Sequence, residues 1–176
     1  MKTNVALIGF MGTGKSTIGR VLAEKLNKKF VELDVLIEQR VGKSIPEIFQ
    51  QDGEITFREL EIEVIKEVFR DRNLVIACGG GIVLNKINVD RLRQESITVY
   101  LTASPKTILK RVLADEETRP LLNVPDKVSS IRELLRFRKP FYERSADIKI
   151  DTSKMNIDSV VEQIINMLKA DESFNS

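Results

Sequence analysis

The chain has 176 residues, 42% of them hydrophobic and 31% charged, which is the balance of one globular domain that buries a core. With no histidine and one cysteine, it cannot form an internal disulfide, a serine–histidine or cysteine–histidine catalytic pair or, in practice, a structural zinc site. The net charge of +2 has mixed signs along the sequence, and no apolar run approaches the ~20 residues of a membrane span, so we expect neither nucleic acid nor a membrane as a partner. Without a signal-peptide pattern or a leftover apolar seam, the expectation is a cytoplasmic monomer.

Five short segments rich in Val, Ile and Leu alternate with longer helical patterns. This alternation predicts an α/β fold of three layers, in which a five-stranded parallel sheet carries helices on both faces. The sequence has no internal repeat or linker, so residues 1–176 are expected to form a single domain. In chain order, the predicted strands are Val5–Gly9, Phe30–Leu33, Leu74–Cys78, Thr98–Leu101 and Ile148–Ile150.

Apolar residues at helical spacing predict amphipathic helices between these strands. Start signals support two of the helices: Ser44-Ile45-Pro46-Glu47 has the pattern of a capping box, and Ser104-Pro105 places proline in a first turn. The polar last residues, 171–176, are expected to fray. The amphipathic stretches are Ile18–Leu26, Phe57–Val68 and Ile157–Leu168.

A charged, proline-containing stretch, Leu113–Asn123, does not fit a packed element. It lies between two helical patterns and contains Arg119. We therefore predict a surface loop over about residues 112–124 that acts as a lid.

The segment Gly9–Ser16 matches the phosphate-loop pattern G-x-x-x-x-G-K-[ST] in full, between a predicted strand and a predicted helix. Its glycines let successive N–H groups turn inward as a nest for phosphate oxygens, and the helix N-terminus adds its dipole. Lys15 is expected to contact the β- and γ-phosphates of ATP, and the Ser16 hydroxyl to ligate Mg²⁺. The acceptor stays open, because many kinases and hydrolases share this loop. The expected nucleotide contacts are Gly12, Thr13, Gly14, Lys15, Ser16 and Thr17.

Two features between the second strand and the long helix point to the acceptor. Asp34 follows the second strand, where ligands of open parallel sheets bind, and its carboxylate can orient or deprotonate a hydroxyl; a helix N-cap is the alternative. Arg58 and Glu61 share one helix face, so the carboxylate can hold the guanidinium in place; a surface ion pair is the alternative.

Two later features point the same way. The run Gly79–Gly81 follows the third strand, and three adjacent glycines indicate a close approach of the backbone to a ligand, with a flexible turn as the alternative. Arg138 can read a substrate carboxylate bidentately, whereas its neighbours Arg132 and Arg136 are interpreted as a solvated helix face. Cys78 is interpreted as a small buried strand residue.

Taken together and in order, these motifs resemble those of shikimate kinases over nearly the whole chain, from about Asn4 to Leu168. The resemblance implies a P-loop kinase fold like that of nucleoside monophosphate kinases. It also implies ATP-dependent phosphorylation of the 3-hydroxyl of shikimate in aromatic amino-acid biosynthesis. The motifs are the phosphate loop, Leu33-Asp34, Phe57-Arg58-x-x-Glu61, Gly79–Gly81, Arg119-Pro120-Leu121-Leu122, Arg138-x-Pro140-x-Tyr142 and Asp151-Thr152.

The resemblance further implies that a helical segment of about residues 34–62 binds the substrate. It also implies roles for single residues inside and outside this segment. Asp34 would bind the ring hydroxyls and act as base, and Arg58 and Arg138 would hold the carboxylate of shikimate. Gly80, flanked by Gly79 and Gly81, would offer its backbone N–H to the substrate. On the nucleotide side, Arg119 would reach the phosphates as the lid closes, and Arg111 would lie against adenine.

Two positions depart from the family pattern. The family often has Asp-x-Asp at the second strand, where this chain has Glu32-Leu33-Asp34. After Asp151-Thr152 the family often has a basic residue near the adenine, and in Ser153-Lys154-Met155 of this chain only Lys154 is a candidate for that place.

Two other functions stay open on the residues alone. One is a different small-metabolite kinase, such as a gluconate or nucleoside monophosphate kinase, and the other is a nucleotide-binding regulatory protein. The short lid and the set Asp34, Arg58 and Arg138 favour a compact polyhydroxylated carboxylate as acceptor. A GTPase is disfavoured, since the chain has no Asn-Lys-x-Asp sequence.

Overall fold

Five strands form one parallel sheet in the order β2–β3–β1–β4–β5. The computed structural model describes residues 1–114, 125–154 and 156–175. All five predicted strands are confirmed, and their ends differ from the prediction by at most two residues. The strands are β1 (Asn4–Ile8), β2 (Lys29–Glu32), β3 (Leu74–Ala77), β4 (Ser96–Thr102) and β5 (Ile148–Asp151).

Helices cover both faces of the sheet, which confirms the predicted three-layer α/β architecture. Alternate residues of each buried strand point to opposite faces, so the sheet has two apolar cores. One core packs β1 residues such as Leu7 against α1 and α8, and the other packs Ile8 against α4, α5 and α7. The helices are α1 (Lys15–Lys25), α2 (Leu33–Val41), α3 (Ile45–Gln51), α4 (Gly53–Val68), α5 (Lys86–Glu95), α6 (Pro105–Ala114), α7 (Lys127–Ser145) and α8 (Ile157–Ala170).

Local signals account for where several helices begin. The predicted capping box of α3 is confirmed: the Ser44 side chain accepts from the Glu47 N–H, and the Glu47 carboxylate accepts from the Ser44 N–H. The Ser104 hydroxyl accepts from the Thr107 N–H at the start of α6. Helix α5 was not predicted, although Asn85 caps it by accepting from the Ile87 N–H at 2.9 Å.

Two expectations about the ends of elements are wrong. Residues 171–175, the described part of the segment expected to fray, are held in place: Phe174 is 7% exposed, and the backbones of Ser173 and Asn175 bond to that of Lys2 at 2.7 and 2.8 Å. The predicted lid cannot begin at 112, because Val112 is buried and α6 continues to Ala114. Residues 115–124, which include most of that predicted segment, lie outside the described part of the chain.

The parallel arrangement places the carboxyl ends of all strands at one edge of the sheet. The phosphate loop follows β1, Asp34 follows β2, and the glycine run follows β3, so three of the sequence motifs meet at this edge. In the described part of the chain, no helix is both long enough and apolar enough to cross a membrane.

Candidate active site

The phosphate loop joins β1 to α1 with its glycines in left-handed backbone conformations. Gly12 has φ of 76° and Gly14, the N-cap residue of α1, has φ of 93°. The Thr13 hydroxyl braces the loop by donating to the Phe10 carbonyl at 2.8 Å. The Lys15 ammonium donates to the carbonyls of Gly9 and Phe10 at 2.9 Å, which holds its charge over the loop. The loop therefore presents backbone N–H groups, a helix N-terminus and a cation to one point.

The Ser16 hydroxyl lies beside the carboxylate at the end of β2. It donates to Oε1 of Glu32, and Arg20 on α1 pairs with Oε2 of the same carboxylate at 3.1 Å. Glu32, where the family often has aspartate, therefore does bring a carboxylate to the serine hydroxyl. This contact puts two hard oxygen donors side by side at the phosphate loop.

Arg111 on α6 ties the phosphate loop to the end of β5. Its guanidinium donates to the Gly12 carbonyl at 3.0 Å and to the Thr152 carbonyl at 3.0 Å. The Thr152 hydroxyl in turn donates to the Thr13 carbonyl at 3.0 Å. Arg111 and Thr152 thus form one wall next to the loop, whereas Lys154 is exposed beyond it.

A cleft of about 740 Å³ extends from the phosphate loop to the acceptor residues. A volume of this size suits a small metabolite and its phosphoryl donor. Each predicted motif in the described part of the chain contributes residues to this cleft, except the motif on the adenine side. Of the predicted residues, it is lined by Gly12, Gly14, Lys15, Ser16, Thr17, Asp34, Arg58, Gly79, Gly80, Gly81 and Arg138.

The three glycines after β3 leave room for the charged side chains of the acceptor site. A Cβ on Gly79 would lie 2.8 Å from Oδ1 of Asp34, and one on Gly81 would lie 2.3 Å from Nη1 of Arg58. A Cβ on Gly80 would lie 3.4 Å from Nη1 of Arg138. The glycine run is therefore packed against three predicted substrate residues at once, and the alternative of a merely flexible turn does not fit.

Asp34 lies in the first turn of α2, two residues after the N-cap position, which Glu32 occupies. The N-cap alternative for Asp34 is therefore wrong. Its side chain instead points to the glycine run and lines the cleft.

Arg58 and Glu61 form the predicted pair, but it is not a surface ion pair. Nη1 of Arg58 donates to Oε2 of Glu61 at 2.6 Å, and Nη2 donates to Glu54 at 3.1 Å. The Glu61 side chain is 1% exposed, whereas that of Glu54 is 49% exposed. Burial raises the pKa of Glu61 to about 7, against the opposing effect of Arg58. Arg58 thus has one buried and one solvent-facing carboxylate partner.

Arg138 is buried at 3% exposure, in contrast to the exposed Arg132 and Arg136 of the same helix. It lies over the Phe10 ring, with its guanidinium carbon 6.0 Å from the ring centroid. Next to it, the Tyr142 hydroxyl donates to the Gly80 carbonyl at 2.5 Å, which fixes α7 to the glycine run. Because Arg138 is buried at a cleft rather than solvated, it is suited to an anionic ligand.

An apolar wall completes the cleft and was not predicted. Phe49 and Phe57 contact each other with ring centroids 4.9 Å apart, and Ile45 and Pro46 of α3 lie beside them. The Glu38 carboxylate accepts from the Ile45 N–H at 2.8 Å and so ties α2 to the start of α3. Only the helical spacing of Phe57 gave a signal for this wall.

Arg119 lies outside the described residues. Cys78 is 2% exposed, and burial raises the pKa of its thiol far above the ordinary range, so its predicted burial is confirmed, although it directly follows β3 rather than lying in the strand.

A family model described as shikimate kinase matches residues 11–169. The chain belongs to the shikimate kinase family. A shikimate kinase of Caldicellulosiruptor bescii is 44% identical over 97% of this chain and 98% of its own, and one of Pelotomaculum thermopropionicum is 43% identical over 94% and 95%.

Solved structures of shikimate kinases have the same fold. The Acinetobacter baumannii enzyme, solved in complex with shikimate, is 35% identical, with a TM-score of 0.92 over 98% of this chain and 96% of its own. The Aquifex aeolicus shikimate kinase is 36% identical, with a TM-score of 0.82 over 95% of this chain and 96% of its own.

Proposed function

We propose that this shikimate kinase family member transfers the γ-phosphate of ATP to the 3-hydroxyl of shikimate. One observation carries the proposal: Asp34, Arg58 and Arg138 are packed against three consecutive glycines in the cleft that also contains Lys15 and Ser16. A carboxylate for hydroxyl groups and two guanidinium groups for a carboxylate match a small polyhydroxylated acid. The phosphoryl donor and this acceptor would meet within one cleft.

The nucleotide side of the cleft would hold ATP by backbone and side-chain donors. The N–H groups of Gly12, Thr13 and Gly14 would bind phosphate oxygens, together with Ser16 and Thr17. Lys15 would turn from the loop carbonyls to the β- and γ-phosphates. The wall formed by Arg111 and Thr152 supports a place for adenine beside the loop.

The donor set at Ser16 fits Mg²⁺. Its hydroxyl and the adjacent Glu32 carboxylate are hard oxygen ligands, which Mg²⁺ prefers. Within residues 1–114, 125–154 and 156–175, no three His, Cys, Asp or Glu side chains form a group that could hold a metal by themselves. This suits an ion that completes its shell with nucleotide phosphates and water. Bound there, Mg²⁺ would supply charge neutralisation for the phosphates.

In phosphoryl transfer the protein mainly positions groups and neutralises charge. Asp34 would align the acceptor hydroxyl and accept its proton, while Arg58 and Arg138 fix the other end of the substrate. Between these anchors, the backbone N–H of Gly80, flanked by Gly79 and Gly81, would donate to the substrate. We further propose that Arg119, from a lid beyond α6, reaches the phosphates, and that residues 34–62 form the substrate-binding part of a single domain. The cytoplasmic location and the monomeric state stay predictions.

The test is coupled ADP release with Mg²⁺-ATP and shikimate, quinate, gluconate or nucleoside monophosphates as acceptor. We expect turnover with shikimate at about 1 s⁻¹ or faster, the lower end for kinases. Turnover only with another acceptor would overturn the assignment of Asp34, Arg58 and Arg138. Nucleotide binding without turnover on any acceptor would favour a regulatory protein instead.

A further inference from the structure

The buried carboxylate of Glu61 is held from one side only. Oε2 accepts from Arg58 at 2.6 Å, whereas Oε1 has no hydrogen-bond partner among the described residues. Oε1 lies 3.0 Å from the position of a Cβ on Gly79, and Oδ1 of Asp34 lies 2.8 Å from the same point. Two carboxylates thus meet at one glycine, which makes a second negative charge costly in this buried place.

Charged groups on three helices act on Glu61. Arg58 on its own helix and Arg138 on α7 favour the carboxylate, whereas Asp34 on α2 opposes it. The other two helices against α4 direct their charges elsewhere. Arg91 on α5 donates to the Ile62 carbonyl, and Glu47 on α3 is engaged with Ser44. Burial is the largest influence, and with it the pKa of Glu61 is about 7, so a proton moves on or off near neutral pH.

We propose that Glu61 takes up a proton when the acceptor binds, so that acceptor affinity depends on pH. The inference rests on the proposed function, in which a substrate carboxylate pairs with Arg58 and Arg138. That carboxylate adds a negative charge and engages the two cations that keep Glu61 ionised. Protonation of Glu61 removes one negative charge from the pocket, and the proton comes from solvent.

The direction of the pH dependence follows from this. The bound state has the higher pKa at Glu61, so binding takes up a proton only at pH values between the free and the bound pKa. Below pH 7, Glu61 is increasingly protonated before binding, and the uptake falls. As pH rises above about 7, affinity for shikimate decreases, by at most about tenfold per pH unit for one proton.

Few other groups in the chain could take up a proton near neutral pH. The chain has no histidine, and burial keeps the pKa of Cys78 and Tyr142 far above neutral. The α-amino group belongs to Met1, which is 80% exposed and lies before the amino end of β1, at the opposite end of the sheet from the cleft. The other carboxylate at Gly79 is that of Asp34, and the Glu61→Gln variant separates the two.

The experiment is calorimetric titration of shikimate into the full chain at pH 7.5, in phosphate and in Tris. These buffers release protons with different heats, so the difference gives the number of protons taken up. We expect a measurable fraction of one proton for the wild type, and none for Glu61→Gln, whose shikimate affinity stays level from pH 6.5 to 8.5. The control is Glu59→Gln, which removes an exposed carboxylate from the same helix and should keep the wild-type uptake.

Each outcome decides between the alternatives. Shikimate that binds to the wild type without proton uptake overturns the inference and leaves the proposed function standing. Uptake that persists in a folded Glu61→Gln assigns the proton elsewhere and overturns it too. No binding of shikimate at all would overturn the proposed function and the inference with it. If circular dichroism shows that Glu61→Gln does not fold, the methyl ester of shikimate is titrated into the wild type instead. Binding of this uncharged compound with the same proton uptake as shikimate contradicts the inference.

Discussion

At the scale of single residues, the acceptor site depends on glycines that leave space for their neighbours. We predict that Gly81→Ala mainly damages acceptor binding, because its Cβ would lie 2.3 Å from Nη1 and 2.5 Å from Cζ of Arg58. The guanidinium is the far end of a flexible side chain, so it should move aside and leave the fold intact. Since a hydrogen bond to a charged group contributes about 1.5–3 kcal/mol, KM for shikimate should rise about tenfold or more. Steady-state kinetics with varied shikimate measures this.

Gly80→Ala is the matched comparison in the same run. Its Cβ would make an ordinary contact of 3.4 Å with Arg138, so the rise in KM should be clearly smaller than for Gly81→Ala. Equal effects of the two variants would mean that the backbone, rather than the position of Arg58, limits the site.

A second prediction at this scale concerns Asp34. Asp34→Asn keeps the size of a side chain that lines the cleft but removes its ability to accept a proton. General base catalysis contributes about 10²–10⁴-fold, so kcat should fall by this order while KM for ATP stays close to the wild-type value. Nearly full turnover in the variant would remove the base from the mechanism.

The pairing of Arg58 with Glu61 could be predicted from their spacing of three residues, because such residues share a helix face. The burial of the pair could not, since it depends on α2 and α7, which are distant in sequence. The motif Arg138-x-Pro140-x-Tyr142 distinguished Arg138 from Arg132 and Arg136, but the burial of Arg138 beside the Phe10 ring depends on the packing of α7.

At the scale of elements, the caps decide how firmly the short helices of the acceptor side are held. Ser44 begins α3, a helix of 7 residues that carries Ile45, Pro46 and Phe49 of the cleft wall. We predict that Ser44→Ala lowers the free energy of unfolding by about 1 kcal/mol, the usual value of an N-cap, and also raises KM for shikimate. Urea denaturation and steady-state kinetics on the same preparation measure both effects.

The control for this prediction is Asn85→Ala at the start of α5. It removes a comparable cap, whose acceptor distance is 2.9 Å, from a helix that does not line the cleft. Its unfolding free energy should fall by a similar amount without a change in KM. A change of KM in both variants would attribute the effect of Ser44 to general loosening of the protein.

Apolar residues at helical spacing made some helices predictable, and a helix without such spacing was not predicted. Helix α8 has five buried apolar residues at helical spacing and could be predicted within two residues. Helix α5 buries Leu92 and a polar residue, Asn88, so its sequence lacks an apolar stripe. The Asn85 cap was the one local signal available for it.

At the scale of the whole molecule, the sequence patterns predicted the strands and the layers but not the order of the strands. Pairing of β1 with both β3 and β4 is a long-range property, which local periodicity does not encode. The general rule that ligands bind at the carboxyl ends of parallel strands predicts that Asp34 and Gly79–Gly81 lie at the same edge of the sheet, whatever the order of the strands.

The packing of the C-terminal residues is expected to stabilise the fold without affecting activity. Phe174 is buried in the core between the sheet, α1 and α8, with the Lys28 ammonium 5.2 Å from the centroid of its ring. Phe174→Ala should lower the free energy of unfolding by up to about 3 kcal/mol, the lower bound for a buried phenylalanine, because a chain end can relax into the space. Because this contact lies at the end of the sheet opposite the cleft, kcat and KM should not change. Thermal denaturation alongside kinetics tests it, and altered kinetics would indicate that the two ends of the sheet are coupled.

The backbone bonds between Lys2 and residues 173 and 175 also bring the two ends of the chain side by side. A short linker could therefore join residue 175 to residue 1, and the chain could be opened at another exposed turn to give a circularly permuted enzyme. Tethers for surface attachment or force measurements, fixed at either end, would leave the cleft facing solvent. Because Lys2 and Phe174 pair in parallel, force applied between two such tethers would load this contact in shear.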